Sequence, residues 1–237
     1  MKKNNKSGFF SRSFLRKSIN VILISALSIT LWEIVQKQIA YRESKVTYKM
    51  IQEEKNNTDN IQDILSEYNC DWITVTNTAI DYPLMQAEDN DYYMDHNYKH
   101  ESDIGGAIFY DAYDKPSDDT LTVIYGHSMK NGTMFNNLHY FQQDHKRFEE
   151  SRLIITTEEG EKTYAPLGYY VTDNDFFYKN LDDKFTADAV DIIKKKSDYF
   201  VHGTEVLEGV HIMTLYTCDY SISKDGRLIV FYIEEVQ

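Results

Sequence analysis

The chain has 237 residues, 42% hydrophobic and 14% aromatic, enough for a packed core in one or two domains. Its three Pro and ten Gly leave no long flexible linker, and its two cysteines are too few for a disulfide scaffold. The formal net charge is −13, yet residues 1–17 carry six cations and no acid, so the remainder is more acidic still and a poor partner for nucleic acid.

Ile19 to Trp32 reads INVILISALSITLW, without a charge. Ser18 to Val35 is just long enough to cross a bilayer, which takes ~17–25 mostly apolar residues. The cations before it place the N-terminus inside and everything after about residue 36 outside. A cleaved signal peptide is the competing reading; Trp32, Glu33 and Ile34 stand where a small-x-small cleavage site would lie, which favours an uncleaved anchor. The expected organisation is a cytoplasmic basic tail (1–17), a transmembrane anchor (18–35), a helical stalk (36–70) and a folded body (71–237).

From Gln36 to about Asn69 the segment is polar, with Ile51, Ile61, Ile64, Leu65 and Tyr68 at helical spacing, which predicts a stalk followed by one or two helices. Short strands follow at Trp72–Val75, Asp81–Leu84, Ala107–Tyr110 and Leu121–Tyr125. Thr133 to Phe148 reads as helix in one or two pieces, and Arg152–Thr157 with Lys162–Val171 as a hairpin around Glu158-Glu159-Gly160. Ala187 to Phe200 reads as a helix with Thr186 as its cap, and Val210–Thr217 and Arg227–Ile233 as the last two strands. Seven or eight short strands with a late helix fit one barrel or sandwich-like domain with peripheral helices.

Cys218 ends an apolar strand, His127 follows another, and Arg227 begins the last. A cysteine nucleophile acts as thiolate and needs a base or cation nearby, and a guanidinium can hold charge developing on a carbonyl oxygen. Taken alone, a cysteine in an apolar run is more often a small buried hydrophobe than a nucleophile. His96 and His100 have i,i+4 spacing, but no H-E-x-x-H pattern completes a zinc site, so no metal is expected. Cys70 is expected to be a free thiol; a Cys70–Cys218 bridge, which an oxidising compartment permits, would block the nucleophile.

Thr214-Leu-Tyr-Thr-Cys218, the arginine nine residues on, and Tyr125-Gly-His-Ser-Met129 together resemble the sortases. Asp81-Tyr-Pro-Leu84, Gln86 to Tyr93, Gly106-Ala-Ile-Phe109 and Lys130 to Phe135 resemble class B sortases in particular, and the likeness runs from about Trp72 to Ile233. The sequence departs from that class at Tyr216, where Ser is common, and at Ser128, where Asn is common.

The resemblance implies a mostly β fold: an eight-stranded sortase-type barrel with peripheral helices, on the outer face of a Gram-positive plasma membrane and held there by a single-pass N-terminal helix. It implies a cysteine transpeptidase, with Cys218, His127 and Arg227 as catalytic residues and Asn90, Tyr216, Thr217 and Asp219 on the substrate side. Asp219 either orients Arg227 or is a solvated turn residue. The implied partners are secreted proteins with an Asn-Pro-x-Thr type sorting motif and an amine of peptidoglycan or of a pilin, with no cofactor. A cysteine endopeptidase and a tethered binding domain without catalysis are the other classes open. Substrate choice is expected to lie mainly in the long connection of residues 173–209.

Overall fold

The computed structural model describes residues 12–114, 121–173, 186–203 and 209–235. It divides into two units, Met1–Glu43 and Ser44–Gln237. Helix α1 runs without interruption from Arg12 to Asn57. The expected division between anchor and stalk leaves no break, because residues 12–57 contain neither Gly nor Pro to end a helix. In the first unit the apolar side chains stand outward; Leu27 is 69% exposed. A long apolar helix of this kind is a candidate membrane span.

The second unit begins with the last turns of α1, whose Ser44, Tyr48 and Ile51 are buried. The Tyr48 hydroxyl donates to the Gly106 carbonyl, and its ring meets Tyr82 edge-on at 5.5 Å. Gly106 sits at φ 56, and a Cβ there would lie 2.3 Å from the Tyr93 carbonyl oxygen, so no other residue fits. Asp81 gathers Lys55 of α1 (2.6 Å), the Trp72 indole N–H (2.7 Å) and the Thr74 hydroxyl (2.8 Å) on one carboxylate oxygen. Helix α2 (Ile61–Tyr68) follows, capped by Asn60 and closed by Asn69 in the left-handed region at φ 48.

The strands are β1 (Asp71–Val75), β2 (Ile80–Met85), β3 (Ile108–Tyr110), β4 (Leu121–Tyr125), β5 (Leu153–Thr157), β6 (Gly160–Thr172), β7 (Tyr199–Phe200), β8 (Ile212–Cys218) and β9 (Arg227–Glu234). They pair in the order β5-β1-β2-β3-β4-β8-β9-β6, and β6 returns to β5 to close an eight-stranded barrel. The expected barrel is therefore present, and closure leaves it no open edge. The thirteen-residue β6 pairs first with β5 and then with β9; its register shifts between Pro166 and Gly168, where a proline is tolerated.

Three local expectations change. Residues 133–148 form a 3-10 turn (Phe135–His139) and two short helices, α3 (Tyr140–Gln143) and α4 (His145–Glu149); Asp144 interrupts them and caps α4 through the Arg147 amide. The late helix α5 spans Thr186–Lys196, so Thr186 is its first helical residue. The chain beyond α5 is not helix but β7, paired with β6, because Asp198 bonds the Val171 amide and Tyr199 stacks on His145 at 4.1 Å.

Cys70 precedes β1 and is buried, and burial, with Asp71 nearby, pushes its thiol up to about 12. Both cysteines are free. A thiol reagent at mildly alkaline pH is expected to modify Cys218 rapidly in the folded protein and Cys70 only after unfolding. Mass spectrometry of the labelled peptides checks this; equal labelling of both before unfolding, or an intramolecular bond, overturns it.

Candidate active site

The site stands where β4 and β8 end and β9 begins. β4 and β8 are parallel and in register, with Leu121 opposite Ile212 and Tyr125 opposite Tyr216. β8 and β9 are antiparallel, with Ile212 opposite Ile233 and Cys218 opposite Arg227. Side chains alternate along a strand, so Leu121, Val123 and Tyr125 share one face with Ile212, Thr214, Tyr216 and Cys218, and with Arg227, Ile229, Phe231 and Ile233. His127 continues the same alternation two residues past Tyr125. The buried part of this face forms one apolar cluster with Ala189, Val190 and Ile193 of α5, against which Tyr125 and Tyr216 pack. At the uncovered end a cleft of about 290 Å³ opens, lined by His127, Cys218 and Arg227 together with Asn90, Met94, Tyr125, Tyr216 and Thr217.

Each side chain is held locally. The His127 Nε2 donates to the Met94 carbonyl at 2.7 Å, which fixes the proton on that nitrogen and leaves Nδ1 with its lone pair. The His127 carbonyl accepts from the Phe135 amide at 2.9 Å, and Ser128 bridges to Met134, so the 130–135 loop folds back beneath the histidine. Gly126 is required there: a Cβ would lie 2.7 Å from the Phe135 ring. The Gly126 amide donates to the Tyr216 carbonyl at 3.2 Å, and the Thr217 hydroxyl donates to the Gly126 carbonyl at 2.7 Å. These two bonds carry the pairing of β4 with β8 one residue beyond the strand, up to the histidine.

Arg227 lies opposite Cys218, with the Cα–Cα spacing of an antiparallel pair, about 4.5–5.5 Å. Its Nη1 donates to the Gly226 carbonyl at 2.9 Å and its guanidinium carbon lies 6.0 Å from the centre of the Tyr216 ring. Asn90 accepts from the Ala112 amide at 2.7 Å and donates to the buried Asp111 at 3.1 Å; the same Asp111 oxygen accepts from the Tyr125 hydroxyl at 2.7 Å. One internal carboxylate thus sets two walls of the cleft.

Of the residues expected on the substrate side, Asn90 and Tyr216 line the cleft with partly exposed side chains. Thr217 borders it too, but is 1% exposed and has its hydroxyl on Gly126. Asp219 is buried rather than a solvated turn residue. Its carboxylate accepts from the Ser221 amide and from Gln142, each at 2.8 Å, and lies 3.5 Å from His139. Burial pushes its carboxyl up, but Ser221, Gln142 and His139 outweigh it and hold the group below the ordinary carboxylate range. Tyr220, not foreseen from the sequence, is 64% exposed; interaction with Cys218 and partial burial raise its phenol against the lowering effect of Arg227. Met94 was not foreseen either, because its backbone oxygen does the work and side-chain identity gives no signal.

The family model described as the Sortase domain matches residues 73–233. Sortase B of Listeria monocytogenes is 31% identical over 92% of this chain and 96% of its own length, and sortase B of Staphylococcus aureus 26% identical over 90% and 93%. Among solved structures, Bacillus anthracis sortase B superposes with a TM-score of 0.71 at 30% identity, covering 83% of this chain and 98% of that one. Clostridium perfringens sortase B gives 0.67 at 28% identity, covering 74% of this chain and all of that one.

Thr217→Val keeps the shape of the side chain and removes the donor to Gly126. It is expected to lower stability by about 1 kcal/mol, the net worth of one part-buried hydrogen bond, and to lower turnover with it. Urea unfolding and a peptide-cleavage assay check this, with Thr217→Ser expected to keep both properties. A Val variant as stable and active as the parent removes the tie from the account.

Proposed function

The chain belongs to the sortase family of cysteine transpeptidases, in its class B branch, and from that we propose that Cys218 is the nucleophile, His127 the general acid and base, and Arg227 the oxyanion donor. The observation that carries this reading is the single cleft on which all three open. Sortases act on proteins that bear a sorting signal and on amines of the cell wall. For this chain the proposed substrate is a secreted protein with an Asn-Pro-x-Thr type motif, and the proposed acceptor a peptidoglycan amine.

The proposed reaction runs in two halves. The Cys218 thiol gives its proton to Nδ1 of His127, and the resulting thiolate attacks the carbonyl carbon of the motif's Thr, forming a C–S bond. The carbonyl oxygen becomes an oxyanion facing Arg227, whose planar, permanently charged fork suits it; one good donor of this kind contributes ~3–4 kcal/mol to the transition state. Collapse breaks the C–N bond, and the leaving amine takes a proton from His127, a contribution of roughly 10²–10⁴ in rate. The acyl group stays activated as a thioester. An acceptor amine then attacks, His127 takes its proton, and the thiolate departs. With Nε2 bonded to Met94, Nδ1 is the nitrogen that exchanges the proton.

The N-terminal apolar helix is the proposed anchor, with the six cations of residues 1–17 inside and the barrel outside. In this reading residues 1–17, 18–35, 36–70 and 71–237 are tail, anchor, stalk and catalytic barrel.

Cys218→Ala and His127→Ala are expected to abolish cleavage of a sorting peptide while leaving the fold intact, and Arg227→Lys to be severely impaired. Chromatography of the products with and without an added amine reads both halves at once. Transpeptide in the presence of amine supports the reading; hydrolysis alone makes the protein an endopeptidase, and activity in Cys218→Ala within about tenfold of the parent dismisses the nucleophile.

Residues 173–209 are proposed to govern substrate choice, because α5 shares the apolar cluster that supports Tyr216; residues 174–185 and 204–208 lie outside the described residues. Exchanging 173–209 for the matching segment of a sortase with another motif is expected to shift peptide preference while thioester formation persists, as read by intact-protein mass spectrometry. A folded chimera with the original preference moves specificity to Tyr216 and the 86–93 segment.

A further inference from the structure

Thr217 ties the backbone on the side that precedes the two reacting residues. On the side that follows them, Ser128 comes after His127 and Asp219 after Cys218, and both meet His139, the last residue of the 3-10 turn Phe135–His139. The His139 Nε2 lies 3.0 Å from the Ser128 hydroxyl oxygen, and its Nδ1 lies 3.5 Å from Asp219 Oδ2 and 3.2 Å from the Gln142 amide nitrogen. That same Gln142 nitrogen donates to Asp219 Oδ2 at 2.8 Å, and Asn136 donates to Ser128 at 3.3 Å.

The tautomer of His139 protonated on Nε2 satisfies the hydrogen bonds to Ser128 and Gln142. Gln142 gives one amide hydrogen to Asp219 and the other to His139 Nδ1. The histidine then carries its proton on Nε2 and donates it to Ser128. The Asp219 side chain is 4% exposed and that of His139 24%, so these bonds are largely out of water. Among the described residues no backbone bond joins the segment after His127 to the segment after Cys218. The β4 ladder ends at Gly126, and past Cys218 the chain turns away through the Asp219–Gly226 bond. Without a link, the segments carrying the base and the nucleophile separate at their ends.

We propose that His139 is a positioning residue for the transpeptidation: through Ser128 on one side and the Gln142 amide and Asp219 on the other it joins the backbone after His127 to the backbone after Cys218 and sets the alignment of the reacting pair. His139 touches neither substrate nor the transferred proton. Its effect is geometric, and alignment is where a small displacement is expensive: about 1 Å costs roughly 100-fold in rate. The inference rests on the reading of Cys218 and His127 as the pair that reacts.

The experiment measures steady-state cleavage of a sorting peptide and thermal unfolding for His139→Ala, Ser128→Ala, the double variant and His139→Gln, with Cys218→Ala and His127→Ala alongside. His139→Ala is expected to lose about tenfold in kcat with KM for the peptide within about twofold and the unfolding midpoint little changed. The double variant is expected to fall little further than His139→Ala, because both changes cut one link. His139→Gln, whose amide replaces the donor to Ser128, is expected to recover part of kcat. The proposal is overturned by full turnover in His139→Ala, by losses that multiply in the double variant, by a change confined to KM, or by activity that falls only as the midpoint falls. If Cys218→Ala or His127→Ala stays active, the reading of the reacting pair fails instead, whatever the His139 variants show.

Discussion

Everything at the site depends on the in-register parallel pairing of β4 with β8. A strand presents alternate side chains to opposite faces, so a slip of one residue would turn His127 away from the face that carries Cys218. The register is set by what lies below the cleft. Leu121, Val123 and Ile212 are buried on the same face against α5, and because both faces of β4 are buried, a slip of one residue would put Thr122 in place of the apolar side chains that fill this cluster. The Thr217–Gly126 bond extends this control past the last ladder bond, and the antiparallel pairing of β8 with β9 brings Arg227 to the same end. The apolar cluster is therefore a positioning device as much as a source of stability.

The acidity of the chain reads at first as a solvated surface. Part of it is internal. Asp111 fixes Asn90 and Tyr125, Asp219 gathers Ser221 and Gln142 beside His139, and Asp81 collects Lys55, Trp72 and Thr74 where α1 meets the first hairpin. Each carboxylate accepts several donors, which is what makes the burial of Asp111 and Asp219 tolerable; Asp81 stays partly exposed. Two of these three carboxylates adjoin the cleft walls or the residue after the nucleophile, so the charge pattern carries structural information that a net count conceals.

The strands were legible because their apolar runs are short, β-branched and bounded by turn residues, and the eight barrel strands stand within a few residues of their expected limits. His127, Cys218 and Arg227 were legible because each ends or begins such a run. The continuous helix α1 was not, since the change from apolar to polar composition at Val35 looks like a boundary while the backbone sees only good helix formers. β7 was hidden because its two residues are fixed by Asp198 and by stacking on His145, both tertiary contacts. His139 is one of seven histidines, and nothing around it in sequence separates it from the others; its neighbours arrive from residues 128 and 219. The departure at Ser128 places a hydroxyl 3.0 Å from the His139 Nε2.

The bond between Thr217 and Gly126 joins residues 91 apart. A contact of that range waits for a long loop to close, so topology makes it slow to form compared with hairpins such as β5–β6. Synthesis proceeds from the N-terminus, so β4 and its histidine are made well before β8 and β9 exist. The barrel cannot close, and Cys218 cannot come beside His127, until β8 and β9 have docked. Completion of the fold and assembly of the cleft are thus the same event, and a chain made only as far as β4 carries the histidine and an unpaired sheet edge without the cysteine proposed to react beside it.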